Sequence, residues 1–130
     1  MEPSIFTKII QREIPAEIIY EDEHTMVIPD KFPSMEGQLL VIAKRQEAYV
    51  FNLSDDEYHA LMKTTKKMAR ALDTVCATLR TCIVVEGFEV PHVHVRLYPC
   101  RSAEMVWGPK SEASDASLQA LAESMRQHIR

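Results

Sequence analysis

The chain has 130 residues, 46% hydrophobic and 26% charged, which fits one globular domain with a real core. Its net charge of −4 opposes non-specific nucleic-acid binding, which needs clustered basic surface, and no apolar run approaches the ~20 residues of a membrane helix. The three cysteines (Cys76, Cys82, Cys100) are scattered and odd in number, which argues against a disulfide framework. They suit reduced thiols, two of them buried, in a cytoplasmic protein; the opening Met1-Glu2-Pro3-Ser4 lacks the basic-then-apolar order of a secretory signal.

Ser4 to about Arg12 is expected as a short helix with Ile5, Phe6, Ile9 and Ile10 on one stripe, entered at Pro3 and left by Pro15. Ile18–Glu21 and Thr25–Asp30 suit two strands joined as a hairpin through Asp22-Glu23-His24, with His24 exposed in the turn. A loop from Lys31 to Gly37 leads into an apolar third strand, Gln38–Ala43. Ser54-Asp55-Asp56-Glu57 is a capping box whose acids also suit the positive end of a helix dipole. From there Tyr58, Leu61, Met62, Thr65, Met68, Leu72, Val75, Cys76 and Leu79 recur at helical spacing over about six turns. The methionines and Tyr58 on that stripe are expected in the core, and Lys63, Lys66, Lys67 and Arg70 on the solvated face.

Thr81–Val85 and His92–Tyr98 read as a fourth and a fifth strand. Beyond Cys100 the chain loosens through Trp107-Gly108-Pro109-Lys110. It ends in a helix from about Ser114 to Ile129, with Leu118, Leu121, Ala122, Met125 and Ile129 on one face. Short strands with helices but no βαβ alternation predict an α+β fold on a five-stranded antiparallel sheet, as a single domain over residues 1–130.

The fifth strand carries the chemistry. Between Pro91 and Pro99 polar and apolar residues alternate, so His92, His94 and Arg96 line one face while Val93, Val95 and Leu97 press into a core on the other. Gly87 lies five residues upstream of His92. A flexible backbone point beside two imidazoles and a guanidinium suits an anion, phosphate first.

Pro91-His92-Val93-His94-Val95-Arg96-Leu97-Tyr98 resembles the histidine-triad motif of the HIT family, His-φ-His-φ-His-φ-φ with φ apolar. Ser4-Ile5-Phe6-Thr7-Lys8-Ile9-Ile10, Glu13-Ile14-Pro15-Ala16, Tyr20-Glu21-Asp22, Asp30 with Pro33, and Gly37 to Lys44 resemble the family's opening segments, so the likeness spans about residues 4–99. It implies a homodimer whose two five-stranded sheets join across an interface, a nucleoside phosphate ligand, no cofactor, and cleavage at the α-phosphate. His94, as the middle triad member, is then the nucleophile that forms a nucleotidyl-histidine. His92 is implied to orient and polarise the phosphate site, Asp30 to accept from the ribose hydroxyls, and Gly87 to let backbone approach the phosphate. Ile5, Phe6, Ile9, Ile28 and Leu40 match an apolar base pocket, with plain core packing the other account of them; for Asp30 the other account is a turn residue before Lys31.

The sequence also departs from the family pattern. Arg96 stands in place of the third histidine; it can bridge phosphate oxygens but cannot release a proton. Gln38 stands where many members carry another active-site histidine. The segment between Val85 and His92 is short and lacks the usual asparagine and serine; Glu86 and Glu89 lie there instead, and carboxylates near a phosphate are unhelpful unless they face away or hold a metal. Ser4, Thr7 and Gln46 occupy positions that in some members are zinc ligands, so no metal is expected. Trp107 is expected either near a partner's site or covering the dimer interface. The leading expectation is a nucleotide hydrolase or nucleotidyl transferase. The alternative is a nucleotide-binding sensor or interaction protein with impaired catalysis, favoured by the double loss at Gln38 and Arg96.

Overall fold

The computed structural model describes residues 1–104 and 109–129, so the segment Met105-Val106-Trp107 lies outside the described residues. Along the chain run α1 (Ile5–Ile10), β1 (Tyr20–Glu21), β2 (Thr25–Pro29), β3 (Leu39–Ala43), a 3₁₀ turn (Val50–Asn52), α2 (Asp55–Val75), β4 (Arg80–Val84), β5 (His94–Cys100) and α3 (Asp115–His128). The strands form one antiparallel sheet in the order β1-β2-β3-β5-β4, which is the α+β architecture expected. Among the described residues no helix is long and apolar enough to cross a membrane.

Strands β2 and β3 are buried throughout, and apolar apart from Thr25, because both of their faces are covered. On one face Val27, Leu39, Val41, Val95 and Leu97 pack against Leu61, Met68 and Leu72 of α2 and Ala122 and Met125 of α3. On the other, Phe6 and Ile9 of α1 cover Met26, Ile28, Leu40 and Ile42. The amphipathic C-terminal helix, whose docking the sequence leaves open, therefore joins the core beside α2. Arg126 ties it to the hairpin by donating to the Ile18 carbonyl at 2.9 and 3.2 Å.

Ser4 caps α1, and Ser54 with Glu57 forms the reciprocal capping box of α2. Both helices end earlier than expected, α1 at Ile10 before Arg12 and α2 at Val75 before the last residues of its apolar stripe. After α1, Arg12 turns left-handed at φ 67°, and its N–H and that of Glu13 donate to the carbonyls of Ile9 and Lys8. After α2, Ala77 does the same at φ 50°, so Leu79 leaves the stripe and is 62% exposed. Asp73 drives that exit: its carboxylate accepts from the hydroxyls of Thr78 and Thr81 at 2.6 and 2.7 Å, a local alternative to further helix. Of the three cysteines only Cys100 is fully buried; Cys76 and Cys82 are half-buried.

Strand β5 begins two residues later than its alternation suggests. The backbone before it bonds elsewhere: His92 donates to the Val90 carbonyl at 2.8 Å and Val93 to that of Glu47 at 2.7 Å. The face assignment survives the shift. His94 sits opposite Ile42 and Arg96 opposite Leu40, both on the α1 side of the sheet, and Val93, Val95 and Leu97 lie in the opposite core.

Candidate active site

His92 and His94 are both buried, at 0% and 1% exposure, but they are wired differently. His92 Nε2 lies 2.6 Å from the Ala43 carbonyl, which can only accept, so Nε2 carries the proton. Its Nδ1 accepts from the Ser4 hydroxyl at 2.6 Å, and that same oxygen caps α1 by accepting from the Thr7 N–H. Both ring nitrogens of His92 are thus committed to protein. What His92 orients is its neighbour: its backbone carbonyl accepts from His94 Nδ1 at 2.8 Å, leaving the lone pair on His94 Nε2. Burial holds both rings below the ordinary histidine range, and the Arg96 guanidinium pushes His94 the same way against Glu86 and Asp30. The His94 ring is therefore held neutral with the lone pair on Nε2.

Beside it, Arg96 Nε stands 3.5 Å from Asp30 Oδ2, and its terminal nitrogen 3.9 Å from Glu89 Oε2. That Nε is buried and has no hydrogen-bond acceptor. Asp30 is a fixed anion: Oδ1 accepts from the Phe32 N–H at 3.0 Å and Oδ2 from Gln38 Nε2 at 2.6 Å. Gln38, whose own Oε1 accepts from the Ser34 N–H and hydroxyl, is 1% exposed and serves to hold Asp30 in place. Gly87 has φ 69°, and a Cβ there would meet the Ala48 carbonyl at 2.8 Å. The absent side chain thus answers a tight turn pressed against protein backbone.

An open cavity of about 1060 Å³ lies next to these groups, lined by Ile5, Phe6, Ile9, Ile28 and Leu40, with Asp30 and Arg96 as polar points. All five apolar residues singled out in the sequence meet there. The far wall was not visible in the sequence. Lys110 and the first turns of α3 supply it through Asp115, Leu118 and Gln119, and Leu118 belongs to the helix's apolar stripe.

His94 is not itself in the cavity wall. Phe6, which is, meets its ring edge-on with centroids 4.9 Å apart. The other cover is the loop before β5. Glu86 and Glu89 both turn toward the site. Glu86 Oε2 accepts from the Phe88 N–H at 2.6 Å, while Oε1 is buried without a partner, 4.0 Å from His94 Nε2. Glu89 is held by Lys110 at 2.6 Å, and that ion pair keeps its carboxyl below the usual range. Arg96 and Glu86 thus both stand beside the His94 ring.

Ser4, Thr7, Gln46 and His92 also converge, at the positions compared above with zinc ligands. Thr7 Oγ1 donates to Gln46 Oε1 at 2.6 Å, and the Ser4 N–H donates to the same oxygen at 2.8 Å. Hydroxyl and amide oxygens already bonded to one another are poor zinc ligands. Among the described residues no three His, Cys, Asp or Glu side chains are grouped to hold a metal.

The sheet order, the α1-covered imidazole row and the apolar cavity ending at an acid and an arginine define the architecture of a histidine-triad protein. The chain belongs to the HIT family, whose domain model matches residues 11–103. It is 35% identical over 99 residues to an uncharacterized HIT-like protein of Methanocaldococcus jannaschii, covering 73% of this chain and 77% of that one. It is 34% identical over 99 residues to the adenosine 5'-monophosphoramidase of Saccharomyces cerevisiae, covering 75% of this chain and 62% of the yeast protein. In three dimensions it matches a hypothetical histidine triad nucleotide-binding protein of Sulfolobus tokodaii with a TM-score of 0.85 at 24% identity, over 95% of this chain and 90% of that one.

Proposed function

We propose that this protein cleaves a nucleoside phosphoramidate or (di)nucleoside polyphosphate at the α-phosphate, or transfers the nucleotidyl group to another acceptor. The observation that carries this reading is a neutral imidazole with its lone pair on Nε2, fixed by the His92 carbonyl beside an arginine Nε that lacks an acceptor. The base occupies the cavity formed by Ile5, Phe6, Ile9, Ile28 and Leu40, and the ribose hydroxyls donate to Asp30. The cavity is ample for a nucleoside. Arg96 bridges phosphate oxygens and stabilises the charge that develops on them. His94 Nε2 attacks phosphorus as the bond to the leaving group breaks; water then attacks the nucleotidyl-histidine, and the electron pair of the P–N bond returns to Nε2. The name of the yeast relative supports a phosphoramidate as the first substrate to try. The same reading carries a homodimer joined at β4, an edge strand that leaves Ile83 41% exposed beside the 62% exposed Leu79.

The test is mixing with adenosine 5'-phosphoramidate followed by a denaturing alkaline quench and mass analysis. Release of AMP together with an adenylyl mass on the peptide bearing His94 is expected. A second reading, a nucleotide sensor, is favoured by the burial of His94 behind Glu86. Tight calorimetric binding of AMP with neither adduct nor turnover would replace the enzymatic reading by that one.

A further inference from the structure

We propose that Glu86 is the proton-transfer residue of this site, doing the work that Arg96 cannot do; the inference rests on the nucleotidyl-transfer reading above. Expulsion of an amine or alkoxide from phosphorus needs a proton, and the attacking water must lose one. Arg96, Glu86, Asp30 and Glu89 are charged side chains that act on the His94 ring, and His92 adjoins it. Arg96 does not release a proton in the working range. Both oxygens of Asp30 already accept hydrogen bonds, from Phe32 and Gln38. Both nitrogens of His92 are held by Ser4 and Ala43. Glu89 and Lys110 neutralise each other at the cavity mouth, with side chains 61% and 43% exposed. Glu86 remains, with one oxygen anchored on the Phe88 N–H and the other buried and unpartnered.

Its position suits the task. Glu86 Oε1 and His94 Nε2 face each other across 4.0 Å, a gap too short to hold a phosphoryl group. A phosphate entering past Arg96 to meet Nε2 must push the protonated Glu86 carboxyl group outward. With phosphorus between them, the nucleophile is on one side and Glu86 on the other, the side from which an in-line displacement expels its leaving group. In the first step the Nε2–P bond forms and the bond from phosphorus to the leaving group breaks, with Glu86 passing its proton to the departing atom. In the second, water attacks phosphorus from that same side and gives a proton to Glu86. The P–N bond breaks, and its electrons return to Nε2. Glu86 and His94 both end as they began.

Glu86→Gln keeps the acceptor for the Phe88 N–H and removes only the proton exchange. With wild-type protein as reference, turnover of an amine-leaving phosphoramidate is expected to fall about 10²–10⁴-fold. A nitrophenyl nucleotide ester, whose leaving group needs no proton, should still release one nitrophenolate per site in a burst, then stall as the nucleotidyl-His94 adduct. Glu86→Asp should recover part of the loss. In the Glu86→Gln background, adding Arg96→His should restore the amine substrate more than the nitrophenyl one. Wild-type turnover with a Glu86→Gln variant that is unchanged or faster, or whose first-turnover release is slowed equally for both leaving groups, would overturn the role of Glu86 and leave the nucleotidyl reading standing. A wild-type protein that forms no adduct would overturn both.

Discussion

On one face of β5, Val95 and Leu97 are sealed against α2 and α3; on the other, one residue away at each step, His94 and Arg96 face Phe6, Asp30 and the loop carrying Glu86. Both faces are nearly dry, yet their energetics differ. The apolar face is satisfied by contact alone, whereas the polar face holds an arginine Nε and a glutamate oxygen with no hydrogen-bond partner. Buried groups left unpartnered cost stability and are tolerated where a ligand completes them. A strand can therefore anchor a domain and hold a reactive site without either role disturbing the other.

Substitutions on the two faces should separate cleanly. The largest effect is expected from His94→Ala, which should reduce turnover to background. It leaves the His92 carbonyl without its donor at a cost of about 1–3 kcal/mol, and circular dichroism should still show the fold. Turnover at the wild-type rate would remove His94 from the mechanism. Arg96→Ala should lower kcat by ~10²–10³ with a smaller change in unfolding midpoint, because its Nε has no protein acceptor to lose. On the opposite face, Leu97→Ala should destabilise by about 2–5 kcal/mol in urea unfolding while turnover per folded molecule stays near wild type. A Leu97→Ala variant that is stable but inactive would erase the contrast between the faces.

Acid should expose the smallest difference. His92 and His94 have depressed pKa values in the folded protein because burial disfavours their charged forms. Above the ordinary histidine value of 6.5 both states are neutral there and full stability is present. As the pH falls from 6.5 toward the folded values, the unfolded chain takes up protons that the buried rings refuse, so stability is lost through that window. Urea midpoints measured from about pH 8 down to about pH 5 should decline, and a flat profile would contradict the buried neutral rings.

Periodicity and capping made the sheet, α2 and the imidazole face legible in the sequence, because each is a local pattern repeated over many residues. The resemblance named the five apolar residues that line the cavity, since they sit in motif-bearing segments. What stayed hidden depends on contacts between distant segments or on a single turn. The ends of α1 and α2 are set by left-handed residues at Arg12 and Ala77, neither of them glycine. Alternation marked β5 from His92, but the Glu47 and Val90 carbonyls take the backbone there. Gln38 looked like a missing histidine, and only the folded structure shows its amide holding Asp30. The inward turn of Glu86 follows from one loop conformation, hinged at Gly87, that no spacing rule encodes.

The hydroxyl of Ser4 has two duties, ending a helix and steadying an imidazole 88 positions away. Trimming the first four residues, by a protease or by the choice of an expression start site, would disturb both at once. Gln46 also donates to the Glu2 carbonyl, so the opening residues are tied into the same hydrogen-bonded cluster as His92.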